Sequence, residues 1–129
     1  LQLLVDRNPT LKIILSHTAM TNPSNARQIL ETYPNVVMSI KPTMPTSAWM
    51  NLEPVLNSNS DLYEDWAKLF EEMSARFVIG SDAKFMRKGS SPDEYGVIVG
   101  MLRRMLGNLS PEAARKIAYD NAKNMFPAE

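Results

Sequence analysis

His17 is the only histidine in a chain of 129 residues, and it follows directly on the β-rich run Leu11 to Ser16. Asp82 stands in the same relation to a second apolar run, Phe77 to Ile79, with the small pair Gly80-Ser81 between them. A third run closes in Ser39-Ile40-Lys41. Ligands of parallel α/β folds bind outside the carboxyl ends of the strands, so these three ends are where polar residues without a packing role matter. A neutral imidazole and a carboxylate on nearby strand ends are suitable ligands for a divalent metal, and the carboxylate can also take a proton from metal-bound water. The same residues have plainer uses. A lone His after a strand is often a hydrogen-bonded structural residue, and an Asp there often caps the next loop or helix. Lys41 fits either a contact to a substrate anion or a solvated strand end beside Pro42. Lys84, Arg87 and Lys88 form a basic cluster after Asp82 that suits a carboxylate substrate or a solvated loop. The nine methionines are dispersed along the chain and read as packing material rather than a copper site.

Positioning three strand ends together requires parallel strands with helices between them. Residues 11–16 read as a buried strand ending at His17, entered after the breaker Asn8-Pro9. Asn22-Pro23 is a helix start, and Ala26, Ile29, Leu30 and Tyr33 recur at helical spacing until Pro34. Residues 35–40 form the next strand, ended by Lys41-Pro42, so strand, helix and strand fit within about 30 residues, the size of a βαβ unit. The prolines at 42, 45 and 54 and the Ser/Asn cluster at 57–60 predict a long loop, with one short helical turn around Ser47 to Asn51. Asp61 is expected to cap a helix whose Leu62, Trp66, Leu69, Phe70 and Met73 share a face. Residues 76–82 read as the third strand. Ser91-Pro92-Asp93-Glu94 opens a helix with the stripe Tyr95, Ile98, Val99, Leu102, Met105 and Leu106, ended by Gly107-Asn108. Ser110-Pro111-Glu112 opens the last one, with Ala114, Ile117, Ala118, Asn121, Ala122 and Met125 on the buried side. Asn121 on that face is expected to bond a neighbouring backbone group, because a buried amide without a partner is costly.

Composition narrows the function. With 44% apolar residues the chain can bury a core, and residues 1–129 are expected to form one domain. Fourteen basic residues balance fourteen acidic ones, which argues against a nucleic-acid or anionic-membrane partner. The absence of cysteine excludes disulfides, thiolate zinc sites and Cys nucleophiles and fits a reducing compartment. No apolar run approaches the roughly 20 residues of a membrane span. The expectation is a soluble, cytoplasmic protein acting on a small molecule, and the opening Leu1-Gln2-Leu3-Leu4 is expected to mark a chain cut from a longer one.

Taken together, Leu11-Lys-Ile-Ile-Leu-Ser-His17, Tyr33-Pro-Asn-Val-Val37, Arg76-Phe-Val-Ile-Gly-Ser-Asp82 and Ile117-Ala-x-x-Asn121-Ala-x-x-Met125-Phe126 resemble the C-terminal part of the amidohydrolase-like TIM-barrel metal-dependent hydrolases. The branch resembled also holds the aminocarboxymuconate semialdehyde decarboxylases and the pyrone dicarboxylate lactonases. The resemblance runs over nearly the whole chain. It implies an α/β fold that is the C-terminal part of a (β/α)8 barrel, about strands six to eight with their helices. Strand six would end at His17, strand seven would be 35–41 and strand eight would end at Asp82. By the same resemblance Asp82 binds the metal and orients or deprotonates its water. His17 binds metal or steadies that water and the substrate oxygen. Lys41 and Ser16 are the candidate substrate contacts. The metal is expected to be zinc, with manganese the alternative, and the reaction hydrolysis of a carbon-oxygen or carbon-nitrogen bond. A decarboxylase on the same scaffold is one competing reading. The other is a non-catalytic half-barrel that pairs with itself or another chain to cover its open sheet. The His-x-His pair that such enzymes carry after their first strand, and the His usual after the fifth, are not in this sequence. A full barrel takes about 250 residues.

Overall fold

In the computed structural model, residues 1–43, 54–82 and 94–126 are described. Helix α1 (Gln2–Arg7) leads into strand β1 (Ile13–Leu15), helix α2 (Pro23–Thr32), strand β2 (Val36–Ile40), helix α3 (Glu64–Glu72) and strand β3 (Phe77–Ile79). Helices α4 (Glu94–Gly107), α5 (Pro111–Arg115) and α6 (Asn121–Met125) follow. The three strands form one parallel sheet in chain order β1-β2-β3, with Ile14 opposite Val37, Met38 opposite Phe77 and Ser39 opposite Val78. That is three strands among the described residues, against the eight of a closed barrel.

Alternation along the strands sorts the sheet into two faces. Val36, Met38, Ile40 and Phe77 are wholly buried and pack into one cluster with Ala26 and Leu30 of α2, Trp66, Leu69 and Phe70 of α3, Met105 of α4 and Ile117. Phe70 is the hinge of this core. Its ring lies 5.5 Å from Trp66 and meets Phe77 edge-on at 4.8 Å, an arrangement that adds about 0.5–1.5 kcal/mol per pair beyond the area buried. Ile14, Val37, Ser39 and Val78 carry the opposite parity, and none of them joins that cluster.

Local chemistry explains most boundaries and corrects several expectations. α2 starts as the sequence predicts: the Asn22 side chain accepts from the Asn25 amide at 2.8 Å, with Pro23 at the first helical position. Asp61, expected to cap α3, does not. Asn57 Oδ1 accepts from the amides of Asn59 and Asp61, and Leu56 pairs with Leu62 in a single antiparallel bridge, so residues 56–62 fold back on themselves and α3 opens only at Glu64, without a side-chain cap. The first and third strands are shorter than their apolar runs suggest: 3₁₀ turns at Ser16–Met20 and Ser74–Arg76 take one residue from each, and residues 80–82 lie beyond β3. Strand β1, expected to be buried, has no fully buried residue because it is an edge strand. The last predicted helix is one continuous rod, but Lys116–Asp120 widens into a π turn between α5 and α6. Ser110 caps it through the Ala113 amide at 3.2 Å. Helix α1 has no counterpart in the sequence reading. The helical turn expected around Ser47 to Asn51, the basic cluster Lys84, Arg87 and Lys88, and the cap Ser91-Pro92-Asp93 lie outside the described residues.

Two polar side chains lock the sheet from its edges. Arg76, just ahead of β3, donates from Nε to the Val36 carbonyl at 3.0 Å and from Nη2 to the Tyr33 carbonyl at 2.6 Å, which fastens β3 to the start of β2. Burial lowers its pKa from the ordinary arginine value, and the guanidinium stays charged. Asn121 donates from Nδ2 to the carbonyls of Ser74 and Phe77, both at 2.7 Å, which fulfils the expectation of a backbone partner and ties the last helix to β3.

Candidate functional site

The carboxyl ends of β1, β2 and β3 face one another across a short distance because consecutive parallel strands keep their register. The parity that places Val37, Ser39 and Val78 on the face away from the helical core continues to Lys41, Gly80 and Asp82. Gly80 leaves the space for this. A Cβ there would stand 3.3 Å from both Cβ and Oγ of Ser39, while its amide donates to the Ile40 carbonyl at 2.8 Å and extends the ladder by one bond.

Three charged or ionisable side chains meet at that end. Lys41 Nζ donates to Asp82 Oδ2 at 2.5 Å, and His17 Nε2 stands 3.7 Å from the same oxygen. The side chains of His17 and Asp82 are each 28% exposed and that of Lys41 34%, so the cluster is about two-thirds withdrawn from water yet open to a ligand. Its backbone is strained: His17, Thr18 and Asp82 hold positive φ angles of 55°, 51° and 48°. The left-handed region costs a non-glycine residue about 1 kcal/mol or more, and for β-branched Thr18 it is rare. Thr18 is 4% exposed and its hydroxyl donates to the His17 carbonyl at 2.7 Å, so burial and a local hydrogen bond hold the turn that presents His17. Strain of this kind gathers where side chains are held for use.

The structure therefore brings together His17, Asp82 and Lys41 and leaves Ser16 exposed at the start of the turn. The contact that sequence reasoning missed is the pair between Lys41 and Asp82, which had been assigned separately to substrate and metal. The strand parity of 39 and 41 beside 80 and 82 was the available signal. Donor chemistry fits a divalent cation in part: two donors about 2.1 Å from one zinc at a tetrahedral angle are about 3.4 Å apart, close to the 3.7 Å between Nε2 and Oδ2. Among the described residues no group of three or more His, Cys, Asp or Glu side chains converges, so these two donors are a partial ligand set. An open groove of about 460 Å³ between the start of α2 and α3, lined by Asn22, Arg27, Asp65 and Lys68 among others, does not include them. No helix among the described residues is long and apolar enough to cross a membrane.

The sequence model of the family described as Amidohydrolase matches residues 1–128. No curated protein and no solved structure matches the chain.

Proposed function

Because the chain belongs to the amidohydrolase family, we propose that it carries His17 and Asp82 as part of the site of a metal-dependent hydrolase that cleaves a carbon-oxygen or carbon-nitrogen bond of a small molecule. The observation that carries this reading is the convergence of an imidazole and a carboxylate, 3.7 Å apart, from the ends of the first and third strands of one parallel sheet. In the same reading β1, β2 and β3 are strands six, seven and eight of a (β/α)8 barrel, residues 1–129 are one part of that domain, and the face bearing Ile14, Val37, Ser39 and Val78 looks into its lumen. Chain-order parallel pairing supports that placement, since a doubly wound sheet reverses its order at a switch point.

Zinc, or manganese in its place, would be held by the Asp82 carboxylate and His17 Nε2, and when bound it supplies the Lewis acidity that brings ionisation of water close to neutral pH. Asp82 accepts the proton at its carboxylate, a base matched to such an activated water though far too weak for bulk water. Where other donors hold the ion, His17, presented by its strained turn, instead steadies the attacking water and the substrate oxygen. Before metal binds, Lys41 balances the Asp82 charge, and Ser16 lies at the rim for a substrate contact. The remaining donors come from outside this pair. Self-association that covers the sheet belongs to the same proposal, since Ile14 and Ile79 on the two edge strands are each 38% exposed.

The test is elemental analysis of the purified, dialysed chain beside His17→Ala. Stoichiometric zinc or manganese in the wild type, lost in a variant with unchanged circular dichroism, is the expected result. A metal-free wild type overturns the reading for this chain.

A further inference from the structure

We propose that Lys41 is a built-in counter-cation of Asp82 that a divalent ion must displace, so that loading the site and releasing the lysine ammonium are one event. The inference rests on the reading of Asp82 as a metal ligand and adds a gate to it. Lys41 Nζ and His17 Nε2 address the same oxygen, Oδ2, at 2.5 and 3.7 Å. An ion shared by Nε2 and Oδ2 would lie about 2.1 Å from that oxygen, and so no more than about 4.6 Å from an ammonium still bonded to it. Two cations at that range repel strongly where the side chains are two-thirds buried, because the local dielectric is well below that of water. The ion and the ammonium therefore exclude each other from Oδ2.

The residue type suits the task. Lysine carries a compact charge on a flexible four-carbon stem, whereas an arginine fork would hold the carboxylate in a bidentate grip. Pro42 restricts the backbone of Lys41 to extended conformations, so release is a side-chain swing that leaves the end of β2 in place. While the ion is absent, the ammonium holds the Asp82 carboxylate at its place in the cluster.

Calorimetric titration of the full chain with zinc, and separately with manganese, tests the gate in wild type, Lys41→Met and Lys41→Met/Asp82→Asn. The methionine keeps the apolar stem without the charge. An ion pair about one-third exposed is screened by solvent, so Lys41→Met should bind metal about two- to fivefold tighter, and Asp82→Asn should erase the gain. Equal or weaker binding in Lys41→Met overturns the gate and leaves the metal reading intact. No binding in any variant overturns the metal reading and the gate with it. Reductive methylation of the wild type, mapped by mass spectrometry, gives a second readout that needs no variant to fold. Zinc should accelerate labelling of Lys41 relative to exposed Lys12 and Lys68, and an unchanged rate overturns the displacement.

Discussion

One carboxylate oxygen, Oδ2 of Asp82, is the point on which an ammonium and an imidazole from two other strand ends converge. Chemistry and stability separate at such a cluster. Its ion pair is about one-third exposed, and pairs of that kind contribute only about 0–1 kcal/mol after solvent screening and side-chain ordering. Asp82→Asn should therefore lower the melting temperature by no more than about 4 °C while abolishing metal uptake, as thermal melts and elemental analysis would report. A collapse of the fold in that variant would assign Asp82 to structure instead. His17 and Asp82 were legible in the sequence because each is a polar residue directly beyond an apolar run, where packing has no use for it. Their strain was not legible. Nothing in Ser-His-Thr marks a turn of positive φ, since glycine or asparagine, the usual signs of that conformation, are absent from it. The Lys41 contact also stayed hidden, because it depends on register between strands 41 residues apart in the chain.

At the scale of elements, starts with competing local hydrogen bonds were the ones misread. Asn22-Pro23 and Ser110-Pro111 offer one cap each and form it. Asp61 looked equivalent, but Asn57 four residues earlier captures its amide, and a side chain that satisfies backbone donors in a turn removes the incentive for a helix to begin there. The π turn at Lys116–Asp120 inserts extra rotation that no apolar period reveals, and it lies immediately before the amide that fastens the last helix to β3. Asn121 donates to two carbonyls at once. Asn121→Ala should cost about 1–3 kcal/mol in denaturant unfolding, since two carbonyls at a half-buried junction lose their donor. Asn121→Asp should cost at least as much, because it sets a carboxylate against those oxygens. Equal stability of all three proteins would show that the junction is solvated and that Asn121 does not hold the helix.

For the molecule as a whole, the sheet is covered on both faces along β2, where Val37 is buried like its neighbours, and stays open at its edges. The face with Val36, Met38, Ile40 and Phe77 is sealed by helices, whereas β1 and β3 each pair on one edge among the described residues, and Ile14 and Ile79 on those strands remain 38% exposed. Unpaired edge strands expose rows of backbone donors and acceptors, and natural proteins usually blunt them with charge, proline or a covering segment. Ile14 and Ile79 supply apolar surface at the edges instead. Such a sheet, taken without other chain, lowers its free energy by pairing edges and covering apolar area, and association should strengthen with concentration. Sedimentation velocity across a range from about 1 to 100 μM should show the weight-average mass rising above that of a single 14.5 kDa chain. Ile14→Lys and Ile79→Lys should each reduce that rise, because an exposed lysine on an edge opposes strand addition while leaving the helical core untouched. A wild type that stays at one chain's mass throughout the range would mean that the edges are already protected, and self-association would then have no part in completing the site at His17, Lys41 and Asp82.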